Sequence, residues 1–258
     1  MQNVNLPKVG VIICNYNYGQ WIKDAIISAV QQDYPNKEIY VIDDCSTDNT
    51  LEVMKQFPEN TSPPLTISDE GLKEKHWLTV GNTNIYFMVA DRNGGPSRAR
   101  NIAISKAAAQ GCQVFAILDA DDIWLPGKLS KSVAKILEDP QTVGGVYTDY
   151  LHLNTETNTL TYESKEPYSR LRLINDCIIH SGCVINGLAL QQCGVYDEDL
   201  RVCEDYNLWL RISNFFMFVH IPEELVIVRV QPNNSTVTVD KERWQRDYYL
   251  AKQRALGG

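Results

Sequence analysis

Long apolar runs are missing from this chain of 258 residues. No segment approaches the about 18 uninterrupted apolar residues of a membrane span. The opening MQNVNLPKVGVIIC lacks the basic stretch and apolar core of a secretion signal, so a cytoplasmic protein is expected. Basic charge is scarce as well. Lys and Arg number 24 against 32 Asp and Glu, a net charge of −8 that repels a phosphate backbone and argues against nucleic acid as a partner. The 7 cysteines form no CxxC pair and are odd in number, which excludes a disulfide framework and a cysteine zinc site. The 4 histidines show no HExxH spacing, and there is no GxSxG elbow, P-loop or GxGxxG fingerprint. Acyl transfer and zinc proteolysis therefore lack their usual residues. Sequons at Asn60 and Asn234 matter only in a secreted chain and carry little weight.

What is present is an ordinary globular balance, 44% hydrophobic and 22% charged, in a chain long enough to bury a full core. Residues 9–14 are compact and β-branched, and Ile22, Ala25, Ile26, Ala29 and Val30 then recur at helical spacing. The unit repeats, with a strand at 38–42, a short helix after Ser46, a strand at 85–90, a helix at 96–110 and a strand at 114–118. Such alternation predicts an α/β fold with a mostly parallel sheet flanked by helices, whose ligands bind beyond the carboxyl ends of the strands. Further on, 147–162 reads as a hairpin, 205–215 as a helix, and 218–221 and 225–230 as two strands. Residues 58–84 form a long polar connection, either a decoration or a mobile flap.

The strand ends collect carboxylates. Asp119 and Asp121 lie two apart in an extended segment and project to one side, as paired ligands for a hard cation and a diphosphate would, although capping the next helix is the plainer alternative. Asp122 falls outside that alignment and suits a structural role. Asp43 and Asp44 end another strand. There Asp44 could accept a nucleobase N–H or merely cap, and both readings stay open. Asn93-Gly94-Gly95-Pro96 precedes a helix N-terminus and is a weak phosphate motif. Glu204 and Asp205 open a helix whose dipole helps keep Asp205 ionised, which suits a general base, although an ordinary cap is the plainer reading of the pair alone.

The stretch VGVIICNYNYGQWIKDAIISAVQQDYPNKEIYVIDDCSTDNT resembles the opening of family 2 glycosyltransferases. DRNGGPSRARNIAIS, LDADDIWLPGKL, GVYDEDL and CEDYNLWLRIS resemble the family's later blocks in the same order. Together they span about residues 8–230. The resemblance implies a GT-A fold, a Rossmann-like sheet, and inverting transfer of a sugar from a nucleoside-diphosphate sugar in the presence of Mn2+ or Mg2+. By the same resemblance Cys14 and Tyr16 border the nucleobase, Asp44 accepts from it with Asp43 and Arg92 nearby, and Asp119 approaches the ribose. Asp121 ligates the metal, Asp205 is the base and Glu204 orients the acceptor. The implied acceptor is a glycan or lipid-linked hydroxyl in surface polysaccharide synthesis, and UDP is the preferred carrier. Two departures stand out: Gln231 occupies a position where many members carry histidine, and the 58–84 stretch is longer than the usual link.

The competing readings are a degenerate nucleotide-sugar-binding module of a larger synthase, which retention of Asp121 and Asp205 opposes, and a nucleotidyltransferase, whose glycine- and lysine-rich loop is absent from CNYNYGQW. With no linker or composition break, residues 1–235 are expected to form one domain. Its nucleotide-sugar half would end near 122 and its acceptor half would span 123–235. A helical tail, 236–258, alternates basic residues with Trp244, Tyr248, Tyr249 and Leu250 and is expected to dock on the body or touch a membrane peripherally. The ending ALGG leaves open a longer chain.

Overall fold

The computed structural model describes residues 6–57, 68–231 and 239–257. Its frame follows from strands that are apolar on both faces. Val9–Asn15 (β1) and Lys37–Asp43 (β2) are buried almost throughout, as are Thr83–Ala90 (β4) and Val114–Asp119 (β5). The four run parallel in the order β4-β2-β1-β5. Leu72–Val80 (β3) adds antiparallel to β4 at one edge. Beyond β5 come Val184–Asn186 (β9), Val143–Asn154 (β7), Met217–Val230 (β10) and Ile123–Trp124 (β6), while Thr159–Glu163 (β8) pairs with β7. Strands β7 and β10 are parallel to each other, and β6, β8 and β9 are antiparallel additions.

Successive residues of a strand serve opposite faces, and the two faces hold different helices. Val11, Ile13, Val41 and Leu118 pack against Ile22–Val30 (α1), Thr50–Lys55 (α2) and Lys128–Glu138 (α4). Ile12, Ile42 and Ile117 face Pro96–Ala109 (α3), together with Arg170–Asn175 (α5), Gly187–Cys193 (α6) and Glu204–Ile212 (α7). The approach of β1 to α3 is so close that a Cβ at Gly10 would lie 2.9 Å from that of Ala107. Lys241–Leu256 (α8) joins the same face. Asn207 and Asn214 donate to the carbonyls of Ala251 and Ala255 at 3.0 and 3.1 Å, and Arg254 pairs with Asp197 at 2.6 Å. The tail helix docks on the body.

Of the two readings open for 58–84, a decoration or a mobile flap, the described part is a decoration: its second half contains β3, hairpinned to β4, while 58–67 lies outside the described residues, as do both sequon asparagines. Two expectations need correction. The two strands expected over 218–230 are one, whose register shifts around Ile221 to Ile227 absorb Pro222 and its acidic neighbours. The helix expected over 205–215 closes at Ile212. Among the described residues, no helix is long and apolar enough to cross a membrane.

Candidate active site

The alternation that builds the sheet also sorts its terminal carboxylates. Asn15 and Asp43 continue the series of Ile13 and Val41 and so point to the α1–α2 face. There Asn15 Nδ2 donates to Asp43 Oδ1 at 2.9 Å and to Thr50 Oγ1 at 3.0 Å, and the Ser46 amide donates to Asp43 Oδ2 at 2.9 Å. Asp43, expected near the nucleotide, is 0% exposed and ties two loops together. Asp44, one residue on, turns the other way and accepts the Gly94 and Gly95 amides at 2.9 and 2.7 Å. Burial raises its proton affinity while those two N–H groups oppose the shift. The Asn93–Pro96 turn is thus occupied by a protein carboxylate, which removes it as a phosphate cradle. Gly95 serves the turn with φ of 83°, in the left-handed region.

Cys14 and Asp119 are register partners on β1 and β5 and face the α3 side. Burial pushes the Cys14 thiol up to about 12, so it stays protonated. Tyr16 and Arg92 are exposed at the strand ends. Between Asp119 and α7 stands Arg100 of α3, a residue that no sequence motif singles out. Its Nη2 donates to Asp119 Oδ1 at 2.8 Å and its Nη1 to Glu204 Oε1 at 2.6 Å. Ser181 Oγ donates to Asp119 Oδ2 at 2.7 Å. Burial would raise Asp119, but Arg100 and Ser181 outweigh it and hold the carboxyl below its usual range. Glu204, expected to orient an acceptor, is 8% exposed and its Oε1 is bonded to Arg100.

Asp205, beside it, is only partly covered, and its Oδ1 accepts the Tyr206 amide at 2.7 Å. Burial and then the Glu204 carboxylate push it up to about 7, against the pull of Arg100. It is poised to exchange a proton near neutrality.

Asp121 and Asp122 turn toward the end of β10. Arg229 donates from its backbone to Asp122 at 3.2 Å, and its side chain donates to the Asp121 carbonyl at 2.9 Å and to Asp24 at 2.7 Å. Burial and the charge of Asp119 push Asp121 up to about 6. Asp122, also buried, is pushed well above the usual carboxylate range by burial and by the neighbouring Asp121 and Asp119. Gln231 Nε2 lies 3.3 Å from Asp121 Oδ2. Among the described residues, Asp24, Asp119, Asp121, Asp122, Glu204 and Asp205 here face the guanidinium groups of Arg100 and Arg229. The surplus of negative charge suits a divalent cation at Asp121. Among the described residues no three His, Cys, Asp or Glu side chains are grouped to hold a metal ion, so diphosphate oxygens and water would have to complete its shell. Two of the histidines are occupied elsewhere: His220 bonds Asp149 at 2.7 Å, and burial pushes His180 well below the usual histidine range.

Residues 10–199 match the family described as Glycosyl transferase family 2. TuaG of Bacillus subtilis, named for teichuronic acid biosynthesis, is 28% identical over 209 residues, covering 80% of this chain and 72% of that protein. The structure of S. aureus TarS 1-349 in complex with UDP-GlcNAc superposes with a TM-score of 0.69 at 19% identity, over 95% of this chain and 65% of that one. That of the mannosyltransferase PcManGT from Pyrobaculum calidifontis, in complex with GDP-Man and Mn2+, gives 0.68 at 19%, over 99% and 66%. The chain spans 30% to 70% of the length of the first curated relatives it matches. Acidic strand ends gathered on one edge of this sheet, the GT-A architecture of the neighbours and a match over most of the sequence agree: the chain belongs to glycosyl transferase family 2.

Proposed function

We propose that the chain is a metal-dependent inverting transferase that moves a sugar from a nucleoside-diphosphate sugar, UDP preferred, to a hydroxyl of a glycan or lipid-linked acceptor in surface polysaccharide synthesis. The observation that carries this reading is the placement of Asp119, at the end of β5, and of Glu204 and Asp205, at the start of α7, on one face of the sheet, with Arg100 bonded to both Asp119 and Glu204. Donor and acceptor can then meet between a strand end and a helix start.

In this reading Cys14, Tyr16 and Asp44 border the nucleobase, Arg92 lies at the rim and Asp119 approaches the ribose. Asp205 takes the proton of the acceptor hydroxyl as its oxygen attacks C1, and the nucleoside diphosphate leaves from the opposite face, so the anomeric centre inverts. Arg100 keeps Asp119 and Glu204 fixed while Asp205 changes charge. A divalent cation, Mn2+ or Mg2+, held by Asp121 would offset the charge that grows on the departing diphosphate. The neighbours named for UDP-GlcNAc and for GDP-Man with Mn2+ support a nucleotide-sugar donor, and the teichuronic acid relative supports a polysaccharide product. The two halves, to about 122 and 123–235, divide donor from acceptor duties, and the work is done at the cytoplasmic face of a membrane.

Calorimetric titration with UDP, GDP, dTDP and CDP, each with Mn2+ and with chelator, tests the reading without an acceptor. Metal-dependent binding of one nucleotide is expected; no binding of any would refute it.

A further inference from the structure

Trp21, Gln231 and Asp121 form a chain of polar contacts drawn from three separate segments. Trp21 Nε1 lies 3.2 Å from Gln231 Oε1, and Gln231 Nε2 lies 3.3 Å from Asp121 Oδ2. An indole nitrogen can only donate, so the amide atom facing it has to be the oxygen. The opposite orientation would set N–H against N–H at Trp21 and leave an amide oxygen facing a carboxylate. The indole is itself held in place. The Arg229 guanidinium lies 4.4 Å over its ring and is anchored to the Asp121 carbonyl and Asp24. Gln231 is 8% exposed, so bulk water is poorly placed to replace either partner.

We infer that Trp21 is a positioning residue: by holding the Gln231 amide oxygen to itself and turning the amide N–H toward Asp121, it denies this edge of the cation position an oxygen ligand. The inference rests on the proposed role of Asp121 as the metal ligand. It deepens that role, since the side chain beside Asp121 presents a donor and not an oxygen to the cation. One carboxylate without a neutral oxygen beside it holds a hard cation weakly, so the cation enters with the diphosphate that completes its shell. Trp21, at the start of α1 and outside any ligand set, thereby decides how strongly the protein binds the bare ion.

The test is a Mn2+ titration followed by the electron paramagnetic resonance signal of the free ion, on protein alone and with UDP or GDP. Trp21→Phe keeps a ring over Arg229 but removes the donor, so the amide can turn its oxygen toward Asp121. Gln231→Met removes the amide and supplies no oxygen. Trp21→Phe is expected to bind Mn2+ without nucleotide about ten-fold more tightly than wild type, the scale on which changes beside a ligand act, and Gln231→Met no more tightly than wild type. Asp121→Asn is expected to lose Mn2+ binding in every condition. If Trp21→Phe, melting as wild type does, binds the bare ion no more tightly, or Gln231→Met matches its gain, while Asp121→Asn still abolishes binding, the inference is overturned and the metal reading stands. If Asp121→Asn changes nothing, or wild type takes up no Mn2+ with either nucleotide, the metal reading fails and takes the inference with it.

Discussion

Arg100 and Glu204 meet in a buried ion pair, 2.6 Å between Nη1 and Oε1, across 104 residues of sequence. The same guanidinium holds Asp119 at 2.8 Å. One buried cation therefore couples the strand end assigned to the donor with the helix start assigned to the acceptor.

Removing that cation strands two carboxylates. Arg100→Ala is expected to destabilise the fold by about 3–5 kcal/mol, the cost of breaking a buried pair by deleting one partner. Arg100→Lys restores the charge but cannot span both acids, so it should recover part of the stability and little of the transfer. Urea denaturation of both variants measures this, and a loss under about 1 kcal/mol for Arg100→Ala would show that the pair is better solvated than its burial implies.

Asp205→Asn keeps the shape of the carboxylate and removes its basicity. Turnover is expected to fall by about 10²- to 10⁴-fold, the range of a lost general base, while nucleotide affinity by calorimetry stays at the wild-type value. Near-normal turnover would transfer the role of base to another group.

The pH dependence has a definite sign. Asp205 must be deprotonated to act, and burial and Glu204 push it up to about 7, so turnover should climb as pH rises through about 7. Stability should move the other way. A carboxyl whose folded pKa exceeds its unfolded value favours the folded state below the unfolded pKa, and that contribution is lost as pH rises toward the folded value. Between pH 4 and about 7 the melting temperature should therefore fall as activity rises, and Asp205→Asn should flatten part of the fall. A wild-type melting temperature that climbs across this window would contradict the assignment.

Asp44→Asn probes the turn at Gly94 and Gly95. The carboxylate accepts one amide on each oxygen, whereas a carboxamide can accept only one and sets its own N–H against the other. A loss of about 1–3 kcal/mol follows from one unsatisfied buried donor. Weaker nucleotide binding should accompany it, because the turn flanks the proposed base site. Thermal melts and calorimetry on the one variant separate the two effects.

The central strands were legible because burial on both faces leaves β-branched runs such as VGVIICN, and the acids that follow them stand out by contrast. The edge strand β3, LKEKHWLTV, was not legible. An edge needs no second apolar face, and most of its residues are exposed or half-buried. Asp43 and Asp44 were both expected near the nucleotide, and only the strand's alternation separates a sealed anchor from a carboxylate on the other side. Arg100 stood in view within DRNGGPSRARNIAIS. Its importance comes from partners 19 and 104 residues away, and packing sets those partners where no local pattern can.

Trp21 and Gln231 are 210 residues apart in the chain. During synthesis at about 5–20 residues per second, about 10–40 s pass between the emergence of the first and the second. Strands β1 and β2 can pair early in that interval, and Asp119 can meet Arg100 as soon as β5 is made, but Asp121 and Asp122 wait for Arg229 and Gln231 at the end of the last long strand. The acidic edge is therefore completed in two stages, and its second stage comes only when β10 locks into place.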